Sequence, residues 1–341
     1  MEPDRPRASP APGKAAPMAC PMALAALLLA FWLACPPPAQ GKISIQPKIV
    51  GGNQTSVLTW PSTVALLTHG SSDSLNSQFC GGTLVASRWV VTAAHCTRGK
   101  TAAQIDAVTG RSNMNTAIGQ RIQVQTITEH PSYNPSTFDS DLALLFLSSA
   151  STQPVLGMVA QNDPQGLTVA GTQGITVGWG DLLQGANLGS NTLQQVLVPI
   201  ISTAQANAAG WYNGAVTANM FAAGFAAGQK DSCQGDSGGP YMVPDGSGGY
   251  ALAGAVSWGN GCAQAQQPGI YTRLSNFRTW IDSTMSGGGG GGGSSRTVPA
   301  QEDFGAAVLA SLLVLIGLIR TGAPKPERVV LRRGEPFQNL P

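Results

Sequence analysis

Three short segments of this chain place a serine, a histidine and an aspartate in contexts that suit nucleophilic chemistry. Ser237 lies within the run Gly-Asp-Ser-Gly-Gly-Pro, residues 235–240. Glycines beside a serine permit a tight turn, which can point the N–H groups of Gly235 and Ser237 into one small space. Such a space stabilises negative charge as it develops on a carbonyl oxygen. The run therefore suits a nucleophile next to an oxyanion hole.

A histidine and two candidate acids can carry out the proton transfer that a serine nucleophile needs. His95 ends an apolar strand in the run Val-Val-Thr-Ala-Ala-His-Cys, residues 90–96. Asp141 directly precedes the strand that begins Leu-Ala-Leu-Leu, where a carboxylate can orient and charge-stabilise the histidine. Asp139 is the rival acid, but it lies two residues too early relative to that strand. Each segment alone is more typical of a turn, an ordinary histidine or a cap; together, in the order His, Asp, Ser, they indicate a catalytic set.

The set resembles the chymotrypsin/trypsin family of serine proteases, and the resemblance covers Ile49 to about Met285. It implies that Ser237 is the nucleophile, that His95 is the general base and then the acid, and that Asp141 holds His95 in the useful tautomer. A catalytically dead binding module is the alternative class. Such proteins usually lose the histidine or the serine, and both are present here.

The resemblance also implies a substrate preference. Asp231, six residues before Ser237, occupies the base of the specificity pocket in trypsin-like members, where a buried carboxylate needs a cation to pair with. An arginine or lysine of a protein or peptide substrate supplies that cation, so we expect cleavage after Arg or Lys. The remaining pocket residues implied by the resemblance are Ser257, Trp258, Gly259 and Gly269, with glycines leaving the walls open to a long side chain.

The run Pro-Lys-Ile-Val-Gly-Gly, residues 47–52, resembles the family's zymogen junction. Cleavage after Lys48 frees the amine of Ile49, which is expected to pair with Asp236 and order the oxyanion hole. Because Lys48 is itself a trypsin-type site, we expect activation by the enzyme itself or by a similar one.

Four cysteines lie in the body of the chain and permit three pairings. The resemblance suggests that Cys80 pairs with Cys96, beside the catalytic histidine, and that Cys233 pairs with Cys262, across the specificity pocket. A third family disulfide would join the positions of Ala206 and Ala222, where both cysteines are absent together.

The composition limits which binding partners and cofactors are expected. Between Ile49 and Met285 there are eight Lys or Arg and eleven Asp or Glu, which gives no indication of nucleic-acid binding. No acidic residue lies between Asp106 and Glu129, so the family's calcium loop is missing. We expect no metal and no cofactor, and nothing indicates an oligomer, so a monomer is expected.

The elements that position these residues are mostly strands. Many short β-like runs separated by Gly, Pro, Asn and Ser are typical of an all-β sandwich or barrel, and the resemblance specifies two six-stranded antiparallel β-barrels with the site in the cleft between them. We predict strands at residues 83–91, 121–127, 142–147, 174–179, 193–201, 251–258 and 269–274. One helix is predicted near residue 285, capped by Ser275, with Phe277, Trp280, Ile281 and Met285 on one face.

Both ends of the chain carry targeting features. Basic residues precede an apolar run at residues 22–34, the layout of a secretory signal peptide, with lipidation at Cys35 as the less favoured alternative. Near the other end, seven consecutive glycines indicate a flexible linker, and sixteen uncharged residues, 304–319, precede a basic tail. This apolar stretch is somewhat short for a bilayer span, and it is expected to be either a removable sorting signal or a permanent anchor with the protease outside the cytoplasm. The expected divisions are a signal region 1–40, a propeptide 41–48, a protease domain 49–285, a linker 286–303, a membrane or sorting helix 304–320 and a basic tail 321–341.

Overall fold

Short strands joined by tight turns make up most of the fold. The computed structural model describes residues 51–72, 74–185 and 188–287. The chain separates into two compact units, Met1–Ser286 and Gly287–Pro341; apart from Gly287, the second unit lies outside the described residues. Within the first unit the strands are β1 Asn53–Gln54, β2 Thr63–Thr68, β3 Gln78–Ala86, β4 Trp89–Thr92, β5 Ile105–Thr109, β6 Gln120–Glu129, β7 Ala143–Leu147, β8 Gln173–Gly178, β9 Gln194–Ile201, β10 Met220–Ala223, β11 Pro240–Pro244, β12 Tyr250–Trp258 and β13 Gly269–Arg273.

The strands form two antiparallel barrels of six strands each, as predicted. The first barrel closes in the order β2-β3-β4-β7-β6-β5, because β2 pairs with both β3 and β5. The second follows the order β9-β10-β13-β12-β11-β8 and closes through β8 and β9, while β1 adds a short edge beside β9.

Alternate side chains of strand β2 point into two different apolar clusters, and these contacts join the two barrels. Val64 and Leu66 point into the core of the first barrel. Ala65 and Leu67 point the other way, into a cluster that contains Val177 and other residues of the second barrel. A strand that is buried on both faces reads as a continuous apolar run, and this one joins the two barrels that carry the site.

The helices are few and short. In the described residues they are α1 Ser74–Ser77, α2 Ala94–Thr97, α3 Thr203–Ala206 and α4 Arg278–Gly287, with 3₁₀ turns at Ala102–Gln104 and Leu274–Asn276. The predicted C-terminal helix is confirmed. Phe277, directly before the helix, and Ile281, within it, pack against Trp89 and Leu144 of the first barrel.

Two local predictions were wrong. The predicted strand 83–91 is a hairpin of β3 and β4 that turns at residues 87–88, with Thr83 paired to Val91. The two turn residues, Ser87 and Arg88, include no Gly, Pro or Asn, so no turn signal separates the two apolar runs. Ser275 does not cap the last helix, since it lies inside the 3₁₀ turn and the helix begins at Arg278.

No helix among the described residues is long and apolar enough to cross a membrane. The predicted signal region, propeptide, glycine linker, membrane or sorting helix and basic tail lie outside the described residues, except for the first residues of the linker.

Candidate active site

The two barrels together line one cavity of about 270 Å³. His95, on the short helix α2 that follows β4, comes from the first barrel. Ser237, Asp231 and Trp258 come from the second. Residues that are far apart in the sequence therefore meet at one place, as the family resemblance implies.

A fully buried aspartate orients the histidine. Asp141 precedes β7, and its Oδ2 lies 2.7 Å from Nδ1 of His95. Its Oδ1 accepts a hydrogen bond of 2.8 Å from the backbone N–H of His95, and the hydroxyl of Ser257 donates to Oδ2 at 2.6 Å. An ionised carboxylate can only accept, so Nδ1 carries the proton and Nε2 is left to act as a base.

The rival acid points elsewhere. The carboxylate of Asp139 accepts hydrogen bonds from Thr217 and Asn219, near strand β10, and from Ser140. Those bonds anchor the loop before Asp141 to the second barrel. Asp141, and not Asp139, contacts His95.

The loop that carries Ser237 is held from both barrels. The N–H of Gly81 donates to the carbonyl of Ser237 at 2.7 Å, and the N–H of Gly238 donates to Val256 at 2.8 Å. Gly238 has φ +75°, and a Cβ there would lie 2.2 Å from Oγ1 of Thr92, so only glycine fits. Among the described residues the Ser237 hydroxyl makes no hydrogen bond to His95, and in proteins without substrate such bonds are often long.

Two backbone N–H groups beside the serine are available for a ligand. Within the described part of the chain, neither Gly235 N–H nor Ser237 N–H donates to a protein acceptor. Gln78 fixes this loop by donating from Nε2 to the carbonyls of Gly235 at 2.8 Å and Cys80 at 3.0 Å. Free backbone donors beside a nucleophile can stabilise an oxyanion. Sequence reasoning missed Gln78, whose only signal is a polar side chain at the start of a buried strand.

Asp236 braces the same loop from inside. It is fully buried and accepts hydrogen bonds from the N–H groups of Gly180 at 2.8 Å and Cys233 at 2.9 Å. Burial raises the pKa of Asp236 to about 6, although these two N–H groups oppose the shift. Its predicted partner Ile49 and the neighbouring Lys48 lie outside the described residues.

The lining of this cavity also includes a buried acid. Asp231 is 2% exposed, and its Oδ2 accepts a hydrogen bond of 3.1 Å from the N–H of Ala263. Its Oδ1 has no hydrogen-bond partner among the described residues. Burial raises the pKa of Asp231 to about 7, although the backbone N–H groups of Ala263, Ser232 and Gly269 oppose the shift. A cation that enters the cavity would satisfy both the charge and the open oxygen.

Small residues keep the path to Asp231 open. A Cβ on Gly269 would lie 2.7 Å from Oδ1 of Asp231, so a larger residue there would block the carboxylate. A Cβ on Gly259 would meet nothing closer than 3.5 Å, which leaves that wall of the cavity free. Ser257 and Trp258 complete the predicted lining, and Phe138, which sequence reasoning missed, lies on the same cavity.

Both predicted disulfides are present, Cys80–Cys96 and Cys233–Cys262. His95 lies close to Cys80 and Cys96, but sulfurs joined in a disulfide are not the thiolates that bind metals. At the positions of the third family bridge, Ala206 and Ala222 are fully buried in one apolar cluster.

Comparison with known proteins gives the same result. A family model described as Trypsin matches residues 49–281. Trypsin-3 of Salmo salar is 44% identical over 211 residues, which cover 61% of this chain and 83% of that protein. A trypsin of Xenopus laevis is 40% identical over 70% of this chain and 91% of its own length, and the trypsin of Sus scrofa is 38% identical over 70% and 96%.

The two barrels and these matches define a serine endopeptidase of the chymotrypsin fold. Within that class, the chain belongs to the trypsin family.

Proposed function

We propose that this protease hydrolyses peptide bonds after Arg or Lys. The observation that carries the proposal is the buried carboxylate of Asp231, which lines the cavity that also contains Ser237 and His95 and whose Oδ1 has no hydrogen-bond partner among the described residues. A guanidinium or ammonium group pairs with that carboxylate, and its aliphatic stem lies between the walls at Gly259 and Gly269.

The chemistry follows from the groups around the bound carbonyl. Ser237 Oγ attacks the carbonyl carbon while its proton passes to Nε2 of His95, and Asp141 stabilises the imidazolium that results. The N–H groups of Gly235 and Ser237 donate to the oxyanion. His95 then gives its proton to the leaving amine, which departs as the C–N bond breaks. Water, activated by His95, hydrolyses the acyl-enzyme and restores Ser237.

An Asp231→Ser variant tests the specificity. It should lose the preference for Arg and Lys and keep slow hydrolysis after uncharged residues, because Ser237, His95 and Asp141 are untouched. Unchanged preference for Arg and Lys in this variant would contradict the assignment of Asp231.

We further propose that the enzyme is made as a zymogen and activated by cleavage between Lys48 and Ile49. The new amine requires an ionised Asp236, which burial disfavours until a cation arrives. A Ser237→Ala zymogen should stay uncut when incubated alone and should be cut by a trace of active enzyme, with mass spectrometry locating the new terminus. Maturation of purified Ser237→Ala without an added protease would exclude self-activation.

We also propose that the protein is exported and that a stretch near its C-terminus either anchors or sorts it. Residues 1–40 direct export, and the stretch 304–320 either anchors the protease in a membrane or serves as a removable sorting signal. The protease domain, proposed to be a monomer, then lies outside the cytoplasm. The mass of the mature protein distinguishes the two fates: an intact basic tail, 321–341, supports the anchor, and its loss supports sorting.

A further inference from the structure

A second cavity lies on the first barrel and takes no part in the mechanism above. It has a volume of about 710 Å³, and polar side chains dominate its lining. Two of the lining residues, Arg111 and Arg121, are cationic, and no Asp or Glu among the described residues lines it; Asp73 lies outside them. The polar residues used below are Ser72, Ser74, Asn115 and Thr116.

Arg111 is a buried cation that has no acidic partner among the described residues. It is 5% exposed, and it donates from Nε to the carbonyl of Ile118 at 2.7 Å and from Nη1 to the hydroxyl of Ser74 at 2.9 Å. Its Nη2 has no hydrogen-bond partner among the described residues, and no carboxylate there pairs with it. Burial lowers the pKa of Arg111, and the nearby charge of Arg121 adds to the effect. A buried charge without a counter-ion is costly, so an arriving anion would be stabilising.

Arg121, in contrast, has an acidic partner. Its Nε lies 2.7 Å from Oδ2 of Asp106, and its two terminal nitrogens donate to the carbonyls of Ser71 and Thr68. Asp106 also contacts His69 at 2.7 Å. Asp106 thus balances Arg121, and within the described part of the chain the uncompensated positive charge belongs to Arg111.

The arginine cavity is connected to the active site through helix α1. Ser74, at the start of α1, binds Arg111, while Leu75, Asn76, Gln78 and Phe79 line a further cavity together with Gly235 of the oxyanion hole. Asp231 and Trp258 do not line that further cavity. Gln234 lines both this cavity and the one that contains Ser237 and Asp231, so the two adjoin beside the oxyanion hole. The cavity without Asp231 is the one open to the substrate residues that follow the cleaved bond.

The distance sets which substrate residue arrives at Arg111. Four helical residues rise about 6 Å, and an extended chain advances about 3.3 Å per residue, so about two residues pass along α1. The cavity beside Gly235, of about 230 Å³, lies between α1 and the cleaved bond and takes further residues, so we place the acidic residue at the third to sixth position after that bond. Ser72 and Asn115, which also line the cavity, can donate hydrogen bonds to an anion that pairs with the Arg111 guanidinium, whereas the Thr116 hydroxyl already donates to the carbonyl of Asn113 at 2.8 Å.

We propose that the Arg111 cavity binds the carboxylate of an Asp or Glu located three to six residues after the cleaved bond. The protease would thus favour Arg or Lys sites that are followed by acidic sequence, a preference that rests on the proposed cleavage after Arg or Lys.

Two matched peptides test this. Both contain one Arg cleavage site, and they differ only in having Glu or Gln at the third to sixth positions after it. We expect kcat/KM to be about tenfold higher for the Glu peptide in low salt, given the strength of hydrogen bonds between charged groups, and Arg111→Gln should reduce that ratio to about one. The matched control Arg278→Gln, which removes an arginine paired with Asp282 on α4, should leave the ratio unchanged.

Further measurements distinguish a failure of the Arg111 proposal from a failure of the proposed function. An arginine amide with nothing beyond the cleaved bond monitors the basic activity: if it is cleaved and the two peptides react equally, the Arg111 proposal is wrong and the proposed function stands. If it is not cleaved, the proposed function fails, and equilibrium binding of the two peptides to Ser237→Ala still decides the cavity. Sulfate should compete with the Glu peptide and not with the Gln peptide. Sulfate binding without any preference for the Glu peptide would show a site for free anions and would overturn the proposed role in substrate binding. Should Arg111→Gln fail to fold, the sulfate competition on the unmodified enzyme decides.

Discussion

The ionised carboxylate of Asp231 should lower the free energy of unfolding, and a variant that replaces Asp231 should show by how much. The side chain is 2% exposed with Oδ1 unpartnered among the described residues, and burial raises its pKa from 3.8 to about 7. An acid whose pKa is higher in the folded state destabilises the fold when ionised. The penalty is therefore absent below about pH 4, grows as the pH rises, and is complete above about pH 7.

Three pKa units correspond to about 4 kcal/mol of unfolding free energy at pH 8 and about 2 kcal/mol near pH 5. The Asp231→Asn side chain has the same shape and no charge, so the variant should be more stable by these amounts. The gain should be about 2 kcal/mol larger at pH 8 than at pH 5. Urea unfolding followed by tryptophan fluorescence, with Ser237→Ala in every protein to prevent self-digestion, measures both values.

A surface acid supplies the matched control. Hydrogen bonds from Ser247 lower the pKa of Asp245, which is the opposite sign, so Asp245→Asn should give no stability gain at either pH. A small arginine amide should stabilise the parent protein and not Asp231→Asn, because only the carboxylate pairs with it. Equal stability of parent and Asp231→Asn at both pH values, or a larger gain at pH 5, would refute this account of the pocket.

Three further changes address the triad, the pocket wall and the missing bridge. Asp141→Asn should lower kcat about 10⁴-fold near pH 8 with little change in KM, because an amide favours the wrong histidine tautomer; a loss below about tenfold in steady-state kinetics would contradict the assignment. Gly269→Ala places a methyl group 2.7 Å from Oδ1 of Asp231, and kcat/KM for Arg peptides should fall about 100-fold with an unchanged circular dichroism spectrum. Joint replacement of Ala206 and Ala222 by cysteine should form a disulfide that adds about 3 kcal/mol to the free energy of unfolding, and urea unfolding with no such gain would show that the two positions do not accept the bridge.

The sequence was sufficient to predict the parts of the site that lie in short contiguous runs. The residues around Ser237, His95 and Asp141 have types and neighbours that few other functions require, and the family resemblance then placed Asp231 and the two disulfides. The structure brings Asp141 into contact with His95 and includes Asp231 in the lining of the cavity that contains both Ser237 and His95.

Features that depend on contacts between distant residues were not predictable in the same way. Gln78 acts through the carbonyl of Gly235, 157 residues away, and no local pattern marks such a bond. The uncompensated charge of Arg111 is visible only when burial and the absence of a nearby described carboxylate are known together. Similarly, the turn between β3 and β4 contains no Gly, Pro or Asn, so hydrophobicity alone merged two strands.

The most direct test of the central claim is the hydrolysis of matched peptides that differ only in having Arg, Lys, Phe or Ala before the cleaved bond. The enzyme should first be cut after Lys48, with Ser237→Ala prepared in the same way as control. We predict rapid hydrolysis of the Arg and Lys peptides, little of the other two, and none with the control. Equal hydrolysis of all four peptides would contradict the role of Asp231, and activity that survives in Ser237→Ala would contradict the assignment of the nucleophile.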